Sequence, residues 1–354
     1  MGKWMIYGAN GYTGELIARE AVSRGMSPVL GGRNAHKIRP LAEELSLEFQ
    51  AFPLDEHAAA QLEDIDLVLH CAGPFHVTSE PMIHACLSAK THYLDITGEI
   101  SVFEYTHSLH SRAAEKNVIL CSGVGFDVVP TDCTALKLKE EMPDATELAL
   151  GFDSDSGISP GTFKTMIQGL GLGSMHRKDG VLKTVTLGTQ RRTIDFGRGS
   201  RSAMGIPWGD VSTAFYTTGI PNISAWIPMS KSKIYSTRLL GAAGPLLATD
   251  WFKEKLQGQV EKRIQGPDSS VRANSPAYIW GQAKNQQGII KVARIRTANV
   301  YDLTVYGSLE IVRRLLIERI EGGYYTPAGL FGSSLVENLP GSGTFEIDTF
   351  YPRQ

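Results

Sequence analysis

Short apolar runs alternate with helical patterns from the N-terminus to about residue 125. Trp4–Tyr7, Pro28–Leu30, Glu48–Phe52, Leu67–Cys71, His92–Ile96 and Val118–Ser122 each have the length and bounding residues of a strand, and every gap between them can hold a helix. That alternation predicts successive βαβ units and a mostly parallel sheet. Tyr12–Arg24 puts Leu16, Ile17 and Ala21 on one side of a helix that stops at Gly25, a residue that tolerates the left-handed turn at a helix end. Pro40 lies inside the helical pattern Asn34–Leu45. Because proline lacks an N–H and crowds the preceding turn, that helix is expected to start late or kink.

From about Met142 the pattern changes to glycine, polar residues and short alternating stretches. Leu182–Leu187 and Ile289–Arg296 read as antiparallel strands. Gly205–Pro245 mixes Gly and Pro with Trp208, Phe215, Tyr216, Trp226, Ile227 and Met229 without a clear period, so a long loop or a substrate cover is expected there. Leu309, Val312, Leu316 and Ile320 recur at helical spacing and predict an amphipathic helix that closes this second domain. The fold class is therefore α/β: a Rossmann-type parallel sheet over residues 1–135, then an α+β domain with a mixed or antiparallel sheet over 136–324, serving substrate binding and dimerisation. Residues 325–354 are expected to pack back onto the first domain.

The chain has 354 residues, enough for two cores. Its charge of -2 gives no attraction for nucleic acid. Cys71, Cys86, Cys121 and Cys133 form no C-x-x-C pair and read as reduced thiols of a cytoplasmic protein. The strand pattern begins within a few residues of Met1, leaving no room for a signal peptide. The longest apolar run, Leu239–Ala248, is about half of what a transmembrane helix needs.

Gly8-Ala9-Asn10-Gly11-Tyr12-Thr13-Gly14 directly follows the first strand and opens the first helix. A turn of that kind aims backbone N–H groups and the positive end of the helix dipole at one point, where a pyrophosphate is stabilised. The glycines respectively make the turn, let phosphate approach and let helix and strand pack. The G-x-x-G-x-x-G spacing departs from G-x-G-x-x-G by one residue, which leaves a ligand-free glycine turn as the alternative. Where NAD sites carry an acid about 20 residues on, no Asp or Glu occurs from Ala21 to Ala42; Arg33 follows the second strand, with Lys37 close behind. A guanidinium suits a ribose 2′-phosphate that a carboxylate would repel, so NADP(H) is the expected cofactor, with Arg33 its main contact; simple solvation of a helix start is the alternative. Ligands of such sheets lie beyond the carboxyl ends of the strands. Cys71-Ala72-Gly73-Pro74-Phe75 should then run along the cofactor, and Asp55 should lie near the adenine.

Taken with Gly31-Gly32-Arg33, Tyr93-Leu94-Asp95-Ile96-Thr97-Gly98-Glu99 and Gly123-Val124-Gly125-Phe126-Asp127-Val128-Val129-Pro130-Thr131-Asp132, these motifs resemble the saccharopine dehydrogenase-like oxidoreductases. The resemblance is to the branch holding trans-acting enoyl reductases and the saccharopine dehydrogenase-like oxidoreductase of animals. It covers about the first 135 residues in order, then thins to Ser159-Pro160-Gly161-Thr162 and Tyr325-Thr326-Pro327-Ala328. It implies an NADP-binding Rossmann domain, a second domain with its own sheet and a nicotinamide site between them, with Thr97 and Gly98 among the cofactor contacts. It does not name a substrate.

Hydride transfer needs a partner that supplies or stabilises a proton. None of the twelve tyrosines has a lysine four residues on, so the Tyr-x-x-x-Lys solution is absent. Glu99 and Asp127 are the candidate acid–base residues, followed by His76 and Thr162. Asp127 or Asp132 could instead cap the following helix, and Glu99 could orient a turn or the carboxamide. Two function classes follow. One is an NADP(H)-dependent oxidoreductase acting on an unsaturated acyl, imine or carbonyl substrate; the other is a non-catalytic NADP-binding redox sensor or scaffold at a lipid surface. The expected partners are a small-molecule or lipid-like substrate and a second copy in a homodimer, with peripheral lipid contact through the apolar 205–245 segment. No metal is expected.

Overall fold

The computed structural model describes residues 2–156, 173–242 and 266–352, and divides into two compact units. The first comprises Met1–Asp127 and Tyr301–Leu330; the second comprises Val128–Val300 and Phe331–Gln354.

In the first unit, strands β1 (Trp4–Tyr7), β2 (Val29–Gly32), β3 (Phe49–Ala51), β4 (Leu67–His70), β5 (His92–Asp95) and β6 (Ile119–Cys121) alternate with helices α1 (Tyr12–Ser23), α2 (Ala35–Leu45), α3 (Phe75–Ala89), α4 (Ile100–Ser108) and α5 (His110–Glu115). All strand pairs are parallel, and the order is 6-5-4-1-2-3 with a late strand, β15 (Gly323–Tyr324), beside β6. This is the doubly wound Rossmann arrangement, with its switch point between β1 and β4. Every residue of β1, β2 and β4 is buried, which is why these strands read as continuous apolar runs instead of an alternation. The six expected strands are all present, each within two residues of its expected ends.

Three local readings change. Helix α1 buries Gly14, Ile17, Ala18 and Ala21, while Leu16 is only partly covered. Helix α2 begins at Ala35 and runs through Pro40. Asn34 caps it by accepting the His36 N–H at 2.9 Å, and His36 and Pro40 are exposed, so the carbonyl deprived of its partner faces water. The helix Val300–Leu315, expected to close the second domain, belongs to the first unit from Tyr301 onward. Its buried Thr304 accepts the Phe126 N–H at 3.0 Å, and Ser308 donates to the Val124 carbonyl at 3.2 Å.

In the second unit α6 (Val129–Glu141) precedes strands β7 (Ala145–Ser154), β8 (Ser174–Lys178), β9 (Val181–Val185), β10 (Arg191–Asp195), β11 (Ser200–Ile206), β12 (Asn222–Pro228), β13 (Ala277–Asn285), β14 (Ile290–Thr297) and β16 (Glu346–Phe350). These form a mixed sheet in the order 10-11-12-7-13-14-16, with β8 and β9 branching from β12. A side chain on Gly281 would collide with Thr134 and Leu138 of α6 at 2.6 and 2.8 Å, so its absence lets the helix lie close against that face of the sheet. The expected return of residues 325–354 divides at Leu330: up to there the chain belongs to the first unit, and from Phe331 it belongs to the second, where β16 joins this sheet.

The 205–245 stretch is not a long loop over its described length. It contains the end of β11, a helix Asp210–Thr218, β12 and a helix starting at Lys231. Trp226 is buried and Trp208, Phe215, Tyr216, Ile227 and Met229 are half-buried. Its glycines and prolines fall at element junctions, which erased the period. Most of the Leu239–Ala248 run lies outside the described residues. No helix among those described is long and apolar enough to cross a membrane.

Candidate functional site

The first unit gathers four segments at the carboxyl ends of its strands, linked by successive close contacts. Gly8 leaves β1 with φ +91, and a Cβ there would lie 2.7 Å from the Ala72 nitrogen. A Cβ on Gly14 would lie 2.4 Å from the Gly8 oxygen, whereas on Gly11 the nearest atom would be 3.3 Å away. Gly8 and Gly14 are therefore demanded by the turn itself. Gly11 is the N-cap of α1 with no side-chain cap, so the outer side of the turn keeps room for a phosphate at the positive end of the helix. Among the other turn residues, Asn10 is exposed, Tyr12 and Thr13 are half-buried, and the Tyr12 ring meets Tyr301 edge-on at 5.1 Å.

On the β2 side, Arg33 and Lys37 are exposed. Neither side chain makes a hydrogen bond or ion pair among the described residues, and Arg33 is close enough to Tyr7 to oppose the burial that raises the phenol to about 12. Asp55 acts on Tyr7 too, and its carboxylate accepts the His57 N–H at 2.9 Å. Arg33 and Asp55 thus face the same strand end.

The segment Cys71–Phe75 after β4 is shaped by two residues that the sequence reading passed over. Thr78 donates to the Ala72 carbonyl at 2.6 Å and lies 3.0 Å from Nε2 of His70. His70 is fully buried, and burial pushes its pKa down to about 3, so it is neutral; with the Thr78 proton committed to Ala72, Nε2–H is the donor. Cys71 donates its N–H to the Tyr7 carbonyl at 2.7 Å, its thiol pKa raised by burial. Pro74 precedes α3, and the Phe75 ring lies against His70.

Glu99 closes this turn from the β5 side. Its two carboxylate oxygens accept the Phe75 and His76 N–H groups at 3.0 Å each, and His76 Nδ1 lies 2.8 Å away. The carboxylate thus caps the first turn of α3. Thr97 Oγ1 accepts the Glu99 N–H at 3.0 Å, fixing the Thr97–Glu99 bend. Buried Asp95 holds that bend to the exit of β6: it accepts from Thr97 N, Gly123 N and Tyr93 Oη at 3.0, 2.8 and 2.8 Å. Burial lifts its pKa to about 6 against those bonds.

At the end of this chain of contacts, a Cβ on Gly98 would lie 2.7 Å from Oδ2 of Asp127. Asp127 is only partly exposed, and desolvation raises its pKa to about 7. The N-cap of α6 is Val128, which offers no side-chain cap; Asp132 accepts the Thr217 hydroxyl. Thr162 lies outside the described residues, as does Ser159–Thr162. No cluster suited to a metal ion occurs among the described residues.

Residues 4–121 match the family model described as the saccharopine dehydrogenase NADP binding domain. The saccharopine dehydrogenase-like oxidoreductase of Rattus norvegicus is 30% identical over 195 residues, covering 47% of this chain and 46% of the rat protein. The chain thus spans about half the length of the curated relatives it matches first. A trans-acting enoyl reductase of Mycobacterium bovis is 24% identical over 408 residues, with 96% of each chain covered. The apo saccharopine dehydrogenase (L-Glu forming) of Saccharomyces cerevisiae shares the fold, with TM-score 0.68 at 10% identity over 99% of this chain and 100% of that one. The N-terminal part of the chain is thus similar to the saccharopine dehydrogenase NADP binding domain, and the cofactor this match supports is NADP(H).

Proposed function

We propose, from that similarity, that the protein is an oxidoreductase that uses NADP(H) to transfer hydride to or from an unsaturated acyl, imine or carbonyl substrate. The observation that carries this reading is the row of contacts from the open Gly8–Gly14 turn to Asp127, with the unpartnered Arg33 at the β2 end. Gly8, Gly11 and Gly14, with Asn10, Tyr12 and Thr13, would hold the pyrophosphate; Arg33 and Lys37 would hold the 2′-phosphate, and Asp55 would face the adenine side. Cys71–Phe75, Thr97 and Gly98 would line the path toward the nicotinamide. Bound NADPH supplies the hydride.

Asp127 is the residue suited to proton transfer. A carboxyl with a pKa of about 7 is present in both forms near neutrality, which is the condition for an efficient general acid or base. In the reducing direction its neutral form would give a proton to the substrate atom adjacent to the hydride-accepting carbon, and the resulting carboxylate would recover a proton from water. Glu99 suits a different task. Both its oxygens are engaged with the start of α3, so it positions the Pro74–Phe75 turn and would act on the reaction through that turn. The lipid-like substrate has less behind it, because the apolar residues that suggested it are largely packed inside the second unit.

The test is a calorimetric titration of the protein and of Arg33→Ala with NADPH and NADH. It is followed by NADPH oxidation with enoyl thioesters, cyclic imines and aldehydes, for the protein and for Asp127→Asn. The reading requires NADPH selectivity that Arg33→Ala abolishes. It also requires a loss of turnover of about 100-fold or more in Asp127→Asn, with NADPH affinity retained. Equal binding of the two nucleotides, or full activity of Asp127→Asn, would refute the corresponding assignment.

A further inference from the structure

The second unit holds a cavity lined by its own strands. Its floor follows from strand register. Neighbours across β12, β7 and β13 form three rows: Asn222–Glu147–Lys284, Ser224–Ala149–Gln282 and Trp226–Gly151–Trp280. Gly281, between Trp280 and Gln282, faces α6. Because side chains alternate along a strand, these rows point away from α6. Phe196 lies over Gly151 in the third row, while the middle strand offers only Ala149 to the second row, so the larger side chains around Ala149 enclose a depression. Its volume is ≈ 460 Å³, with His176, Gln190, Arg192 and Gln282 on the walls.

Arg192 is the unusual group. It is half-buried, and its guanidinium carbon lies 5.3 Å from the Trp226 ring centre and 4.9 Å from that of Trp280. Nη2 donates to Gln282 Oε1 at 2.7 Å. It has no carboxylate partner among the described residues. Glu147, the acid lining the cavity, is bound to Lys284 at 3.2 Å. Trp226 Nε1 donates to Ser224 at 2.8 Å, which fixes one indole beneath the cation. Partial burial lowers the Arg192 pKa, and Lys178 and Lys183 add to the burial that lowers that of His176. A guanidinium removed from water, held by two indoles and one amide and lacking a counter-charge, is costly unless an anion completes it.

We propose that this cavity binds the carboxylate of a small organic acid, with Arg192 as the anchoring cation. A planar carboxylate matches the two-pronged edge of a guanidinium, and one negative charge balances Arg192, which has no acid partner among the described residues. Gln190 and Gln282 offer amide groups to a polar substituent, while Trp226 and Ala149 accept an apolar body. A dianionic phosphate is the poorer match, because Lys178 is exposed at the rim and Arg177 is engaged with the Val211 and Gly180 carbonyls at 2.8 Å each. This site does not depend on the cofactor reading of the first unit.

The probes are benzoate and inorganic phosphate, titrated against the whole protein without nucleotide. Tryptophan fluorescence and calorimetry are the readouts, with the protein compared to Arg192→Gln and Gln282→Leu. Saturable benzoate binding is expected, weakened at least about tenfold by Arg192→Gln and less by Gln282→Leu. Phosphate should show no saturation over the same range. Thermal unfolding identifies a variant that fails to fold, in which case the other variant decides. Absence of saturation by benzoate, unchanged affinity in the folded variants, or tighter binding of phosphate than of benzoate would overturn the proposal. NADPH binding can fail or succeed without altering any of these results.

Discussion

Arg33 and Arg192 are the two cations around which the two units can be compared. Arg33 sits at the open end of a parallel strand, exposed, next to a glycine turn. Arg192 sits on an antiparallel strand, half-buried above two indoles. Arg33 is recognisable from position alone, because a βαβ unit always returns its second strand beside the first and places the residue after it near the bound nucleotide. Arg192 has no such address. Its surroundings come from strands separated by about ninety residues of chain, and the register that brings Trp226, Gly151 and Trp280 into one row is a property of the assembled sheet. Connectivity made one cation legible, while pairing made the other.

The comparison can be broken most severely at the glycine turn. Gly8→Ala places a Cβ 2.7 Å from backbone at φ +91. We expect a loss of about 2–4 kcal/mol in chemical denaturation together with loss of NADPH binding; near-normal stability would show that the turn relaxes. Next, Arg33→Ala should weaken NADPH by about 10- to 100-fold and leave NADH nearly unchanged, measured by calorimetry. An equal loss for both nucleotides would remove Arg33 from the 2′-phosphate.

A third test concerns pH. Asp127 holds its proton more tightly in the folded state, at about 7, than an unfolded Asp does at 3.8. The folded protein therefore binds more protons than the unfolded chain between those limits, so this group's contribution to stability is greatest below about pH 4 and is lost as pH rises through 7. Asp127→Asn should flatten that decline. Unfolding midpoints from pH 4 to 8 that differ from wild type by a constant amount would show that Asp127 is not shifted. The smallest effect is expected for Glu99→Gln, which keeps one acceptor for the start of α3 and loses the charge: about 1 kcal/mol in thermal unfolding, with NADPH affinity little changed. A loss of turnover as large as that of Asp127→Asn would instead put Glu99 in direct contact with the reacting atoms.

Much of the first unit could be read because its strands are buried on both faces and its cofactor turn is local. Gly8, Gly11 and Gly14 are within seven residues of one another, and their spacing already states the strand-to-helix geometry. Asp95, His70 and Thr78 were missed as organisers because their partners are turns formed elsewhere in the chain. Asp95 was visible only as one letter of the Tyr93–Glu99 motif. Tyr301, Thr304 and Ser308 had a signal that went unused: they share one face of the helix Val300–Leu315 and are unusually small or hydroxylic for a core-facing stripe. Nothing local says that this face docks on the exit of β6 in the first unit. The 205–245 stretch failed for a different reason. Short elements buried on one face, each broken by Gly or Pro, leave no window long enough for a period to emerge.

The sequence by itself determined the parallel Rossmann unit, the place of its nucleotide turn and the basic residue after β2, because each depends on contacts within one βαβ unit. The tertiary structure decided which carboxyl caps a helix and which is left with a pKa near 7, how the chain's late helix and β15 return to the first sheet, and that Arg192 stands over two indoles. Those outcomes depend on burial and register between residues far apart in the chain. Neither quantity has a local code, since the same short segment is stable in several pairings until its neighbours are in place.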